Sequence, residues 1–147
     1  MKKVLLIVLT VLLYSLASTG LDEKGSKGKY AIVLQAGNET NEGKARAVHA
    51  LLYARELAEN GYDVVLIYDG AGTGWANELR KPENPLHKHY VKIKELGLVE
   101  EICDYCAKSF GVKDTLPEQQ KRLLVGDYEG HPSLVKWIER GYRIMVL

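Results

Sequence analysis

The alternation of strand-like and helix-like segments predicts a three-layer α/β/α domain with a mostly parallel sheet of about five strands. Residues 30–36 and 63–68 are short, nearly continuous apolar runs, which are typical of strands buried on both faces. Between them, apolar residues recur three and four positions apart over residues 42–60, which predicts an amphipathic helix. Strand, helix and strand together form a βαβ unit with a right-handed crossover. The 147 residues suffice for one such domain.

The N-terminal segment differs in character from the rest of the chain. Two lysines precede an apolar run over residues 4–13, and Ser15-Leu16-Ala17 resembles a cleavage site. We therefore predict a signal peptide over residues 1–17, a flexible leader over 18–28 and the α/β domain over 29–147. The protein is then exported to the periplasm or another extracytoplasmic space. Two alternatives stay open for the N-terminal apolar segment. It could be an uncleaved anchor, which would then be the protein's contact with the membrane, or it could be the first core strand.

The remaining elements follow from apolar runs and from the glycines and prolines that end them. We predict strands over residues 30–36, 63–68, 98–105, 124–125 and 142–147, and helices over residues 42–60, 75–79, 86–96, 106–110, 117–123 and 132–140. Gly61, Gly97, Gly111 and Gly141 each follow a predicted helix, where glycine is favoured. Pro132 suits a first helical position.

The loops at the carboxyl ends of the strands are the expected place for a binding site. With a 2-1-3-4-5 strand order, the ligand crevice would lie between the first and third strands. The loops there carry Gln35, Gly37, Asn38 and Cys106. We therefore predict that the first three contribute to binding.

The Cys103-Asp-Tyr-Cys106 motif is the main candidate for chemistry. If a helix begins at Cys106, unpaired backbone N–H groups would stabilise its thiolate and lower its pKa. We predict Cys106 as the reactive thiol, with Cys103 as a resolving thiol or a bystander. A Cys103–Cys106 disulfide stays open, as do buried inert thiols. An extended segment would separate the two Cα atoms by roughly 10 Å, so a disulfide requires a turn or helix.

Other residues support fewer conclusions. His131 precedes a predicted helix and could lie near a strand end, although helix capping is the alternative. Tyr105 could border the reactive sulfur. Residues 69–74 are glycine-rich, and we interpret them as a loop rather than an anion site. Zinc takes four ligands and the chain has one cysteine pair, so we expect no metal and no cofactor. The net charge of +1 gives no indication of nucleic-acid binding.

Two stretches resemble the DsrE/DsrF-like family of sulfur-relay proteins. They are Val99-Glu-Glu-Ile-Cys-Asp-Tyr-Cys-Ala-Lys-Ser-Phe-Gly-Val112 and Gly126-Asp-Tyr-Glu-Gly-His-Pro-Ser-Leu134, the second followed by Gly141-Tyr142. The resemblance covers residues 29–147. It implies a flavodoxin-like fold, assembly into homo-oligomers, and a persulfide carried on the cysteine at position 106 for transfer to a partner protein. Relay members of the family are cytoplasmic, whereas this chain is predicted to be exported.

Three functions stay open at this point. The first is a sulfur carrier that receives a persulfide on Cys106 from a donor and passes it to an acceptor protein. The second is an exported dithiol/disulfide redox protein that uses both cysteines. The third is a non-enzymatic module that binds a small ligand in the strand-end crevice.

Overall fold

The computed structural model describes residues 25–147. The strands are β1 (Lys29–Leu34), β2 (Asp63–Tyr68), β3 (Val99–Cys103), β4 (Leu124–Val125) and β5 (Tyr142–Val146). The α-helices are α1 (Asn41–Glu59), α2 (Trp75–Glu78), α3 (His87–Glu95), α4 (Asp104–Ser109), α5 (Glu118–Lys121) and α6 (Leu134–Glu139). Short 3₁₀ turns span Gly70–Gly74 and Lys113–Thr115. Each predicted strand and helix is present, with ends shifted by a few residues.

All five strands pair in parallel in one sheet, with helices on both of its faces. This arrangement confirms the predicted three-layer α/β fold. The strand order is β4-β3-β2-β1-β5, so the expected 2-1-3-4-5 order is wrong. Strand β2 lies between β1 and β3, and no crevice can form between those two strands. The order reverses instead at β1, where the chain returns from β4 to place β5 on the other side.

The two faces of the sheet carry cores of very different size. On one face, alternate residues such as Ile32, Leu66 and Ile102 pack against α1, α2 and α3. On the other face, Trp137 of α6 covers a smaller apolar set. That set consists of Ala31, Val33, Val65 and Ile67. Because successive side chains of a strand point to opposite faces of the sheet, each short apolar strand contributes residues to both cores.

The register of the sheet aligns the ends of the central strands. Leu34 pairs with Tyr68, and Tyr68 pairs with Ile102. Gln35, Asp69 and Cys103 each follow one of those residues. These three residues therefore lie in one row along the carboxyl edge of the sheet.

The N-terminal predictions mostly fall outside the described residues. This is true of the signal peptide over 1–17 and of most of the leader over 18–28, and export stays a prediction. Of the leader, Lys27 donates its backbone N–H to Gly61 at 3.0 Å, and Gly28 accepts one from Asp63 at 2.9 Å. Within residues 25–147, none of the helices has the length and apolar character needed to cross a membrane.

Candidate functional site

Strand β3 ends at Cys103, and α4 begins at the next residue. The sequence prediction placed this helix start at Cys106, two residues too late. Cys103 is the N-cap of α4, and its sulfur accepts the backbone N–H of Cys106 at 3.3 Å. The backbone N–H of Tyr105 donates to the carbonyl of Gly130 at 2.9 Å. The N–H groups of Tyr105 and Cys106 in the first turn of α4 are therefore directed at Gly130 and Cys103, not at the Cys106 sulfur.

A tight turn brings His131 to the two cysteines. Tyr128 and His131 exchange backbone hydrogen bonds of 2.9 and 2.8 Å across Glu129 and Gly130, which both have positive φ. Such a two-residue turn favours glycine, and Gly130 occupies its second position. The Nδ1 atom of His131 lies 3.2 Å from Cys103 Sγ and 3.6 Å from Cys106 Sγ. The alternative capping role does not apply, since Ser133 caps α6 by accepting the N–H of Lys136.

Asp69 completes the cluster from the end of β2. The Cys106 thiol donates to Asp69 Oδ1 at 3.3 Å, and the Gln35 side-chain amide donates to Asp69 Oδ2 at 2.9 Å. The following 3₁₀ turn packs closely on the end of β1, because a Cβ added at Gly72 would lie 2.0 Å from the Leu34 carbonyl oxygen. Glycine at position 72 therefore allows the chain to place Asp69 beside Gln35.

The ligating atoms of Asp69, Cys103, Cys106 and His131 all lie within 4.8 Å of one another. The sequence prediction missed Asp69 as a site residue. Its position directly after a buried strand was the available signal, but we interpreted residues 69–74 as a plain loop. The ligand count used to reject zinc was also incomplete, since a carboxylate and an imidazole join the cysteine pair.

The thiols are neutral near physiological pH. Burial, the largest effect, raises the pKa of Cys106, and the ionised Asp69 adds to this against lowering contributions from Cys103 and the Gly70 N–H. Burial also raises the pKa of Cys103 well above its usual range. The expected lowering of the Cys106 pKa is therefore wrong. Loss of hydration outweighs the helix dipole, whose first-turn N–H groups serve other acceptors.

Asp69 behaves in the opposite way. Burial favours its neutral form, but hydrogen bonds from Gln35, both thiols and Gly70 outweigh burial and lower its pKa. Asp69 is therefore an ionised carboxylate at neutral pH, and it accepts a hydrogen bond from the Cys106 thiol without being basic enough to remove its proton.

A groove of about 380 Å³ opens beside this cluster, at the point where the strand order reverses between β1 and β5. Its lining residues are Val33, Gln35, Ile67, Asp69, Tyr128, His131, Pro132, Ser133, Leu134, Val135 and Val146. Of the two cysteine residues, Cys106 is 7% exposed and Cys103 is fully buried. Cys106 is thus the thiol that a reagent reaches first.

The structure brings most of the predicted site residues together. Gln35 lines the groove and holds Asp69, and the Tyr105 ring packs on His131 with centroids 4.9 Å apart. Asn38 lies away from the thiols, in a separate cavity that it lines with Trp75. Gly37 belongs to the turn before α1 and does not line the groove.

Comparisons with known proteins agree with this fold. The model of the DsrE/DsrF-like family matches residues 28–147. An uncharacterized protein of Methanocaldococcus jannaschii is 39% identical over 100 residues, which cover 68% of this chain and 78% of that protein. A conserved protein of unknown function from Bacteroides thetaiotaomicron has a similar structure, with a TM-score of 0.51 and 18% identity over 81% of this chain and 94% of its own. This last likeness concerns the fold alone. From the family match over residues 28–147, we conclude that the chain belongs to the DsrE/DsrF-like family.

Proposed function

We propose that this protein handles sulfur by carrying a sulfane sulfur as a persulfide on Cys106. The observation that carries the proposal is the placement of the Cys106 sulfur. Cys106 is the less buried of the two cysteines, at 7% exposed, and its sulfur lies within hydrogen-bonding distance of Asp69 and of the His131 imidazole. Sulfur transfer needs an accessible thiol and a proton acceptor more than it needs a deep substrate pocket.

The raised pKa of Cys106 means that its proton must be removed before attack. Imidazole is a stronger base than a carboxylate, so we assign this proton to His131, with Asp69 stabilising the imidazolium. The Cys106 thiolate then attacks the outer sulfur of a donor persulfide, R–S–SH. One S–S bond forms as the donor's S–S bond breaks, and the departing R–S⁻ takes the proton from His131. The exchange requires no external oxidant or reductant.

The groove beside the thiols supplies a place for a partner. Leu134, Val135 and Val146 line it and are largely exposed, which suits an extended segment of a donor or acceptor protein. Ile138 continues this apolar surface along α6. Contact with a second copy of the chain through α6 is part of the proposal, in keeping with the expected homo-oligomer.

A dithiol/disulfide function is the second candidate. The segment from Cys103 to Cys106 is the start of a helix, which suits a disulfide better than the extended segment considered in the sequence analysis. Cys103 and Cys106 lie one helical turn apart, as the N-cap and the third residue of α4. Their sulfur atoms lie within 4.8 Å of each other, so a disulfide of about 2.05 Å would require the two side chains to move together. Both cysteines are free in this structure.

Intact mass after incubation with a low-molecular-weight persulfide distinguishes the two functions. The reduced full-length chain is compared with Cys103→Ser, Cys106→Ser and the control His49→Ala, whose histidine is exposed on α1. A persulfide carrier gains one sulfur atom, which reductant removes, in every protein except Cys106→Ser. Wild-type protein that ends two hydrogens lighter, with no sulfur gained in any variant, would reject the carrier and support the disulfide function.

A further inference from the structure

The four clustered side chains come from four separate parts of the fold. Asp69 directly follows β2, Cys103 ends β3, Cys106 lies in the first turn of α4, and His131 ends the turn before α6. Together they offer two sulfurs, one imidazole nitrogen and one carboxylate oxygen. The two cysteines are buried and the other two residues are partly buried, so the ligand atoms converge inside the protein surface.

The distances between these atoms fit a tetrahedral metal centre. Zinc bonds of about 2.3 Å to sulfur and about 2.0–2.1 Å to nitrogen or oxygen separate two sulfurs by about 3.8 Å, and a sulfur from a nitrogen or oxygen by about 3.5 Å. The measured separations are 3.6 Å between Cys106 Sγ and His131 Nδ1, 3.2 Å between Cys103 Sγ and His131 Nδ1, and 3.3 Å between Cys106 Sγ and Asp69 Oδ1. These three separations are within a few tenths of an ångström of the ideal values, and the other three lie below the 4.8 Å that bounds the whole cluster.

We propose that Asp69, Cys103, Cys106 and His131 form a zinc site with one bound ion per chain. Two thiolates, an imidazole and a carboxylate are the ligand types that zinc takes in proteins, and four of them close its coordination shell. Binding displaces one proton from each thiol, while Asp69 and a neutral His131 bind without losing one. The site goes beyond sulfur carriage, and it uses the same sulfurs.

Surrounding contacts orient the ligands. Gln35 holds Asp69 Oδ2 at 2.9 Å, which leaves Oδ1 directed at the cysteines. The backbone of His131 is fixed by its two hydrogen bonds to Tyr128, and its Nδ1 faces both sulfurs. Outer-shell partners of this kind are common in zinc sites.

Zinc binding and sulfur carriage exclude each other at any one moment. A zinc-bound Cys106 has no free thiolate with which to attack a persulfide. Zinc-loaded protein should therefore gain no sulfur until a chelator removes the metal. The zinc measurement uses no sulfur donor, so failure of either proposal can be told from failure of the other.

The test is a metal titration of the reduced, metal-free full-length chain. Zinc affinity is measured in competition with a chromophoric chelator, and cobalt replaces zinc to report geometry through its visible absorption. We expect one ion per chain, with the intense bands of a tetrahedral, thiolate-bound cobalt. Asp69→Asn, Cys103→Ser, Cys106→Ser and His131→Ala should each weaken zinc binding by more than the roughly 10- to 100-fold expected of the outer-shell variant Gln35→Ala.

Matched controls keep the result specific. His49→Ala and Asp114→Asn replace an exposed histidine and an exposed aspartate outside the cluster, and should bind zinc as the wild type does. Circular dichroism establishes that each variant is folded. Wild-type binding no tighter than that of Cys106→Ser would overturn the proposal. Unchanged binding by Asp69→Asn or His131→Ala, two variants that leave both cysteines in place, would overturn the four-ligand site.

Discussion

Strand β3 contributes to two polar clusters on the same face of the sheet, one around Glu101 and one around Cys103, two residues further along the strand. Glu101 accepts hydrogen bonds from Lys136 Nζ at 2.7 Å and from Trp137 Nε1 at 3.0 Å, so both of its oxygens are used. Cys103, at the strand end, faces His131 and Cys106 beside an open groove. The first cluster is closed and fully bonded, whereas the second lies beside a groove that Asp69 and His131 line. The same strand thus supplies one cluster suited to stability and one suited to chemistry.

The largest expected effect on stability comes from Trp137→Ala. Trp137 is 2% exposed and covers the small core on this face of the sheet. Its removal should lower the free energy of unfolding by about 3–5 kcal/mol, measured by urea unfolding. Glu139→Ala, an exposed neighbour on α6, is the control and should change it little. A loss below about 1 kcal/mol would show that α6 does not hold this face together.

Glu101→Gln tests the closed cluster directly. The amide keeps the shape of the carboxylate but loses the charge that Lys136 pairs with. The free energy of unfolding should therefore fall by about 1–3 kcal/mol. Lys136 retains Asp127 at 2.7 Å, which limits the loss. Sulfur loading of Cys106 should be unchanged, with the exposed Glu139→Gln as control. Impaired loading in folded Glu101→Gln would mean that the two clusters are coupled.

Cys103→Ser is expected to have the opposite effect to Glu101→Gln, with little change in stability and a large change in zinc binding. Serine is a favoured N-cap residue and can accept the Cys106 N–H as the sulfur does. Its effect on the free energy of unfolding should therefore stay within about 1 kcal/mol. Zinc binding should weaken by more than about 10- to 100-fold. Urea unfolding and metal titration on one preparation measure both quantities. A large loss of stability would assign Cys103 a structural role instead.

The smallest effect concerns Glu100, which points to the opposite face from Glu101. Burial raises its pKa, against the attraction of Lys94, and its Oε1 has no hydrogen-bond partner. A raised pKa stabilises the fold fully below the unfolded value, and this contribution is lost as pH rises through the folded value. The unfolding free energy of wild type minus that of Glu100→Gln should therefore fall as pH rises above about 4.5. Urea midpoints across pH 4–8 measure it, and a flat difference would contradict the raised pKa.

Much of the fold was predictable because its signals are local. The apolar runs of β1 and β2 and the three- and four-residue periodicity of α1 depend only on neighbouring residues, and the structure has all three elements. The start of α4 was misplaced because Cys103 is an unusual N-cap, and sequence patterns favour serine, threonine, asparagine or aspartate there. Asp69 was missed because its role depends on Gln35 and Cys106, which are distant in sequence.

The sequence by itself determined a parallel α/β domain of the DsrE/DsrF-like type and the cysteine pair as its centre of interest. The fold follows from the helical periodicity of apolar residues and from the continuous apolar runs of strands that are buried on both faces. The interest in the cysteines follows from the spacing of Cys103 and Cys106. The tertiary structure alone decided the strand order, which places Gln35, Asp69 and Cys103 side by side along the carboxyl edge of the sheet. It also decided that burial raises the thiol pKa values, because the hydration of a side chain depends on which distant elements cover it.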